Sequence, residues 1–322
     1  MRQIGLRAVP FTEEQFRAIE EKAAAHGLSV LRLDAKESYP EDVLKDCELL
    51  MGYFPKEMVK KAEHLKWMQS ASAGVDKLCD PEMYPNHEVV LTNSSGSFGI
   101  AIAEYLLTGL LMLMRHMPAY LDQQKQHIWK HVPGDIGSIY GSKVTVIGLG
   151  DLGGNFAKRM KALGATVTAV KRTLTAKPDY VDALYTNDKL IDAVKDADVV
   201  AMCLPGTPQT EGMVSAEVIA AMKQGAILLN AGRGKTLDQA ALVENLKNGH
   251  LGGAVMDVAV VEPIPADDPI WDLPNLIITP HISGNDNDGL NARLMFEIYM
   301  DNLDRYFAGK ELRNVIDLKK GY

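Results

Sequence analysis

The chain opens with short apolar runs at residues 4–8, 28–33, 49–54 and 89–92, which have the length of strands. Residues 12–25 between the first two runs carry apolar positions at helical spacing. Thr12 is placed to cap that helix, and Gly27 lies just past its end. A long apolar helix is predicted over 97–117, followed by a more polar one running to about residue 130. Gly134, Gly137 and Gly141 then mark a turn-rich gap. After the gap the alternation is strict, with a strand at 144–147, a helix at 152–163 and a strand at 166–170. Further strands are expected at 198–204, 227–230, 254–258 and 276–279, with helices between several of them. Alternating strands and helices predict parallel sheets covered on both faces. A final amphipathic helix over 288–307 is expected to carry the chain back to the first unit. One domain is therefore predicted as discontinuous, from 1–97 and 287–322, around a second at 98–286.

The length, 322 residues, suits two such domains. With 47% apolar and 24% charged residues, the composition is that of an ordinary globular protein. The net charge of -8 and the lack of a basic run leave no electrostatic basis for a nucleic-acid surface. Cys47, Cys79 and Cys203 are odd in number and form no CxxC pair, which fits a reducing cytoplasm better than a disulfide framework. The N-terminus has no continuous apolar segment of a signal peptide. The most apolar stretch, 100–114, is interrupted by Glu104 and is too short to span a membrane. It reads as a buried or interface helix.

The run Gly148-Leu149-Gly150-Asp151-Leu152-Gly153 is a GxGxxG. Its context is specific: KVTVI leads in, and a helix with Leu152, Phe156, Met160 and Leu163 on one face leads out. Gly164 ends that helix before the next strand. This is the βαβ setting that a dinucleotide-binding turn requires. Gly148 makes the tight turn, Gly150 lets backbone approach a pyrophosphate, and Gly153 allows close helix–strand packing. A bare βαβ turn without ligand is the plainer reading. At the end of the second strand, an acidic residue that reads a ribose 2′-hydroxyl is replaced by Lys171-Arg172-Thr173. Two cations and a hydroxyl suit a 2′-phosphate, so NADP is the preferred cofactor, with NAD possible. A solvated basic turn is the alternative.

Ionisable residues recur just past later strands: Arg233 in NAGRG (230–234), Asp257 in MDV, Glu262 in VEPIP and His281 in TPHISG. In an open parallel sheet, ligands bind beyond the strand C-terminal ends. An arginine, an acid and a histidine there could handle a carboxylate, a carbonyl and a proton. Singly, each has a structural reading: Arg233 as a cap or surface partner, Glu262 as a loop acid, His281 as a satisfied histidine.

Together these motifs resemble the D-isomer-specific 2-hydroxyacid dehydrogenases. The likeness runs over residues 228–284 without a break and extends upstream through CLPGTPQT at 203–210, the glycine loop, and ASAGVD at 71–76. The resemblance implies a doubly wound (Rossmann) α/β cofactor domain and a smaller, discontinuous, flavodoxin-like α/β substrate domain. It implies that Arg233 holds the substrate carboxylate and polarises the carbonyl, that His281 is the general acid or base, and that Glu262 orients it. Asp257 is then expected near the nicotinamide, and the backbone N–H groups of Ala73 and Gly74 are expected to receive the carboxylate. Leu204, Pro205, Thr210, Ala231, Gly232 and His281 are expected, with Gly148, Gly150, Asp151 and Leu152, to line the cofactor groove.

Gly232 stands where serine or alanine is more usual in the family. The pairing of Glu262 with His281 argues against the formate dehydrogenases, which have glutamine in place of the acid. No regulatory domain is expected after Tyr322. The basic turn and a Gln/Lys-rich helix ending Ile128-Trp129-Lys130 resemble the short glyoxylate/hydroxypyruvate reductase branch. D-lactate-type and branched 2-oxo-acid reductases are neighbours, and non-catalytic dinucleotide-binding sensors or co-repressors share the fold. Trp129 is a candidate specificity residue or a plain interface tryptophan. The family implies a homodimer through the helices around 100–130 and hinges near 96–98 and 285–289. His127 and His131 have HxxxH spacing, but Ile128 stands where a zinc motif needs glutamate, so no metal site is expected.

Overall fold

The structure is a computed structural model that describes residues 2–40, 42–134, 136–284 and 289–321. The chain divides into two compact units, Met1–Phe98 with Asn285–Tyr322, and Gly99–Gly284. The sequence pattern places these boundaries at 97/98 and 286/287. Of the expected hinges, 96–98 is described, whereas 285–288 lies outside the described residues.

In the first unit the strands are β1 (Gln3–Arg7), β2 (Ser29–Leu33), β3 (Cys47–Gly52), β4 (Trp67–Gln69) and β5 (Val90–Thr92). All pair in parallel, in the order β2-β1-β3-β4-β5, which is the flavodoxin-like arrangement. Helix α1 (Glu13–Ala25) starts with a capping box. Thr12 accepts from the Gln15 N–H, and the Gln15 side chain accepts from the Thr12 N–H. Helix α2 (Lys56–Lys60) and strand β4 were not read from the sequence, being too short to show a period.

The second unit begins with α3 (Gly99–Met114) and α4 (Met117–Lys125), which are bent by 70° at their junction. Pro118 explains the break in the predicted long helix. It has no N–H to donate in a helix interior but is tolerated in a first turn, and His116 ahead of it takes φ 54°. Helix α4 ends at Lys125, not at residue 130 as predicted, because His127 adopts φ 55°. Ile128, Trp129 and Lys130 are therefore irregular, and Trp129 is fully exposed. Among the described residues, no single helix is long and apolar enough to cross a membrane.

Seven parallel strands follow: β6 (Lys143–Ile147), β7 (Thr166–Val170), β8 (Ala183–Tyr185), β9 (Val199–Met202), β10 (Ile227–Asn230), β11 (Gly253–Met256) and β12 (Leu276–Ile278). Between them run α5 (Asp151–Ala162), α6 (Leu190–Val194), α7 (Ala216–Ala220) and α8 (Gln239–Lys247). The helix α9 (Gly289–Phe307) belongs to the first unit. The strand order β12-β11-β10-β9-β6-β7-β8 is the doubly wound topology, with its switch point between β9 and β6.

The central strands of this sheet are buried on both faces, and successive side chains enter opposite cores. Val199, Ala201, Ile227 and Leu229 meet α3 and α5. Val200, Met202 and Leu228 meet α6, α7 and α8. This is why the strands read as continuous apolar runs. On α5 the buried face is Phe156, Ala157 and Met160, whereas Leu163 is exposed, contrary to its predicted place on that face.

Candidate active site

The glycine turn is dictated by contacts. Gly148 has φ 95°, and a Cβ there would lie 2.6 Å from the Cys203 carbonyl oxygen. A Cβ on Gly153 would lie 1.9 Å from the Gly148 oxygen, so only glycine lets α5 pack this closely on β6. Gly150, at the N-cap of α5, differs: a Cβ there would meet nothing within 4 Å. The first-turn N–H groups of a helix have no intrahelical acceptor, and here they adjoin open space, which suits an anion. The turn thus fits a dinucleotide pyrophosphate.

The Asp151 side chain has a structural task. Its carboxylate accepts from the Gly99 N–H at 3.0 Å and from Asn155 Nδ2 at 3.0 Å, tying α5 to the start of α3. The Gly148 N–H donates to the Val170 carbonyl at 2.9 Å, so the turn and the segment carrying Lys171, Arg172 and Thr173 leave the sheet side by side. Lys171 Nζ donates to Thr175 Oγ1 at 3.3 Å, and Arg172 and Thr173 are exposed. Leu204 is buried beside the turn, while Thr210 Oγ1 donates to the Pro205 carbonyl at 2.6 Å and accepts from the Thr207 N–H at 2.9 Å. Those bonds fold the 205–210 loop, a structural task that its sequence did not reveal.

Arg233 leaves the end of β10 on a turn stapled by two side chains not singled out in the sequence. The fully buried Asn230 accepts from the Gly232 N–H at 3.0 Å, and Thr236 Oγ1 donates to the Arg233 carbonyl at 2.7 Å. Ala231 and Gly232 are buried beneath Arg233. A Cβ on Gly232 would sit 2.7 Å from the Leu204 oxygen, which explains why this chain has glycine there. The Arg233 guanidinium donates to the Gly232 carbonyl at 2.8 Å.

His281 follows β12 at φ 55°, a left-handed conformation uncommon outside glycine and found at sites where neighbours enforce it. Its Nδ1 lies 2.8 Å from Glu262 Oε2, and both side chains are partly exposed. Glu262 Oε1 accepts from the Ala259 N–H at 2.9 Å, which fixes the carboxylate. Asp257, only 1% exposed at the end of β11, sits behind this pair. Its Oδ1 accepts from the Ile282 N–H at 2.8 Å and from Thr279 Oγ1 at 2.6 Å, and its Oδ2 accepts from the Ser283 N–H at 2.9 Å. Asp257 was expected beside the nicotinamide; its carboxylate here organises the loop that carries His281.

Strand order therefore arranges the candidates along one sheet edge. From β12 toward β7 come His281, Asp257, Arg233, Leu204 with Pro205, the glycine turn, and Lys171 with Arg172. Chemistry-bearing groups lie on one side of the switch point, and the turn with its basic neighbours lies on the other.

Ala73 and Gly74 belong to the first unit, on the loop after β4. Three consecutive carbonyls of that loop are held. Ser72 O accepts from the Ser94 N–H at 3.1 Å, Ala73 O from Asn93 Nδ2 at 2.6 Å, and Gly74 O from Ser72 Oγ at 2.6 Å. In a trans peptide the N–H points opposite its carbonyl, so the Ala73, Gly74 and Val75 N–H groups are each turned away from these partners. His127 and His131 lie past the end of α4, not on it. Among the described residues, no group of three or more metal-ligating side chains comes together.

The sequence pattern of the D-isomer specific 2-hydroxyacid dehydrogenase NAD binding domain matches residues 107–283, more than half the chain. A crystal structure of a D-isomer specific 2-hydroxyacid dehydrogenase family protein from Aeromonas salmonicida subsp. salmonicida A449 superposes with a TM-score of 0.86 at 34% identity, covering 99% of this chain and 100% of that one. An NADPH-dependent glyoxylate/hydroxypyruvate reductase from Sinorhizobium meliloti, in complex with NADP and sulfate, gives 0.81 at 25% identity, with full coverage of both chains. Among curated relatives, the D-3-phosphoglycerate dehydrogenase of Bacillus subtilis (strain 168) is 33% identical over 230 residues, 71% of this chain, which spans 43% of that protein's length. The matched pattern contains the glycine turn, the Arg233 turn and the loop that carries His281. The chain thus belongs to the D-isomer-specific 2-hydroxyacid dehydrogenase family.

Proposed function

We propose that the protein is a reductase of small 2-oxo acids, glyoxylate or hydroxypyruvate in type, that takes NADPH in preference to NADH and runs in reverse on D-2-hydroxy acids. The observation that carries this reading is the 2.8 Å His281–Glu262 pair on the same sheet edge as Arg233. Backbone amides at the Gly150 turn hold the pyrophosphate, and Lys171, Arg172 and Thr173 hold the 2′-phosphate. When bound, the reduced nicotinamide supplies a hydride to the carbonyl carbon.

The chain's own residues do the rest. Arg233 receives the substrate carboxylate. Arg233 also stabilises the negative charge that grows on the carbonyl oxygen. Glu262 accepts the Nδ1–H of His281, which leaves Nε2 to deliver the proton to that oxygen, or to remove it in oxidation. The binding of NADP by the Sinorhizobium reductase supports the cofactor preference. A homodimer is part of the same reading, supported by the exposed apolar side chains Leu111, Met117, Leu121, Ile128 and Trp129 on and after α3 and α4.

The cofactor assignment is tested by fluorescence titration of both nucleotides. Arg172→Ala weakens NADPH binding by about 1.5–3 kcal/mol, the worth of a hydrogen bond to a charged group. That is roughly a 10- to 150-fold rise in Kd. NADH binding stays near its starting value. Equal loss for the two nucleotides contradicts a phosphate contact.

A further inference from the structure

We propose that Tyr105 and Thr279 are positioning residues for His281, acting through Asp257 as a chain of hydrogen-bond donors that starts inside α3. The proposal rests on the assignment of His281 as the proton carrier and extends it to two hydroxyls that touch neither substrate nor cofactor in that reading.

Tyr105 Oη lies 2.5 Å from Thr279 Oγ1, and Thr279 Oγ1 donates to Asp257 Oδ1 at 2.6 Å. The threonine hydroxyl has one proton, and it goes to the carboxylate. Tyr105 is therefore the donor in the first bond, and the chain runs one way, Tyr105 to Thr279 to Asp257. Burial pushes the Tyr105 phenol up to about 12, with the bond to Thr279 pulling the other way and the nearby Asp257 charge adding to the rise. The donor proton thus stays in place across the neutral range.

Asp257 passes the constraint on. Its two oxygens accept from the N–H groups of Ile282 and Ser283, and its backbone carbonyl accepts from the His281 N–H at 2.8 Å. Three consecutive amides are therefore bonded to one residue. Thr279 is itself fixed to the sheet, because its N–H donates to the Met256 carbonyl at 3.0 Å. The segment between these anchors contains His281 in its left-handed conformation. A non-glycine residue holds that state only when its surroundings over-determine it. Thr279 supplies the side-chain donor to Oδ1, and Tyr105 sets the direction of that hydroxyl. Without them Asp257 can rotate, the clamp on 281–283 loosens, and Nε2 loses its fixed position.

The experiment combines steady-state kinetics with hydrogen exchange of the 279–284 segment. Thr279→Val lowers kcat about 10- to 100-fold, the scale of a slightly misplaced catalytic group. Tyr105→Phe lowers it about 2- to 10-fold, the worth of one ordinary hydrogen bond. In both variants the Ile282 and Ser283 amides exchange faster, while the Kd for NADPH is unchanged. Thr279→Ser, which keeps the hydroxyl, restores both the rate and the protection. Unchanged exchange in both variants overturns the proposal, as does faster exchange with wild-type kcat. Exchange needs no turnover. A protein inactive on every 2-oxo acid would therefore undo the catalytic reading, while amide protection in the two variants would still show whether the clamp exists.

Discussion

Replacing His281 by asparagine lowers kcat for reduction of a 2-oxo acid by about 100- to 10,000-fold, the usual contribution of a positioned general acid. Asparagine is the informative substitute. His281 sits at φ 55°, a region that asparagine adopts readily and alanine does not. His281→Asn therefore removes the proposed proton carrier without straining the loop, and His281→Ala combines both effects. Asparagine cannot exchange a proton near neutrality, so the loss falls on the chemical step. The Kd for NADPH, read by fluorescence, stays near its wild-type value, because in the proposed reading the pyrophosphate and 2′-phosphate contacts that anchor the nucleotide are made by the glycine turn and the basic segment after β7, away from His281. Retention of near-full turnover by His281→Asn removes His281 from the mechanism, whatever the geometry of its pair with Glu262.

Arg233→Ala lowers kcat about 100- to 1,000-fold, the scale of losing one preorganised donor to a developing oxyanion. It also raises KM, because in the proposed reading the same guanidinium holds the carboxylate. The protein still folds, since the turn is stapled by Asn230 and Thr236, whose bonds involve backbone groups that alanine retains. Arg233→Lys recovers only part of the loss. An ammonium is a point charge, whereas the planar guanidinium presents several donors in a fixed fork that can serve carboxylate and carbonyl together. A variant with unchanged KM and kcat removes Arg233 from the site. A raised KM with unchanged kcat confines it to carboxylate binding and leaves the carbonyl to another donor.

What was legible in the sequence was local. The GxGxxG turn is written in one short run between a strand and a helix, and the Gly153 contact with the Gly148 oxygen is local, although the carbonyl that excludes a side chain at Gly148 comes from Cys203 on the neighbouring strand's end. The order of strands and helices was likewise readable, because strands buried on both faces give unbroken apolar runs. Elements shorter than two periods, such as β4 and α2, carried no pattern to read. The end of α4 was misplaced because a left-handed histidine at 127 stops the helix, and histidine carries no warning of that as glycine does.

The supports of the site were invisible for a different reason. Tyr105 and Thr279 lie 174 positions apart, and Asp257 and Ser283 lie 26 apart. Their pairing comes from strand order and has no counterpart in spacing. The same holds in the first unit, where Gln69 accepts from Thr92 at 2.7 Å and from Asn302, 233 positions away, beneath the loop that carries Ala73 and Gly74. Sequence motifs named the groups that were expected to act. The structure added the buried polar residues that hold their backbone in place.

The decisive assay is the initial rate of NADPH and NADH oxidation against glyoxylate, hydroxypyruvate, pyruvate, phenylpyruvate and 2-oxoisovalerate. A reductase of the proposed kind turns over at least one of the two small acids, faster with NADPH than with NADH, and loses all or nearly all of that rate in His281→Asn. Binding of NADPH with no oxidation against any of these acids contradicts the reductase assignment and turns the weight to a non-catalytic dinucleotide sensor or co-repressor.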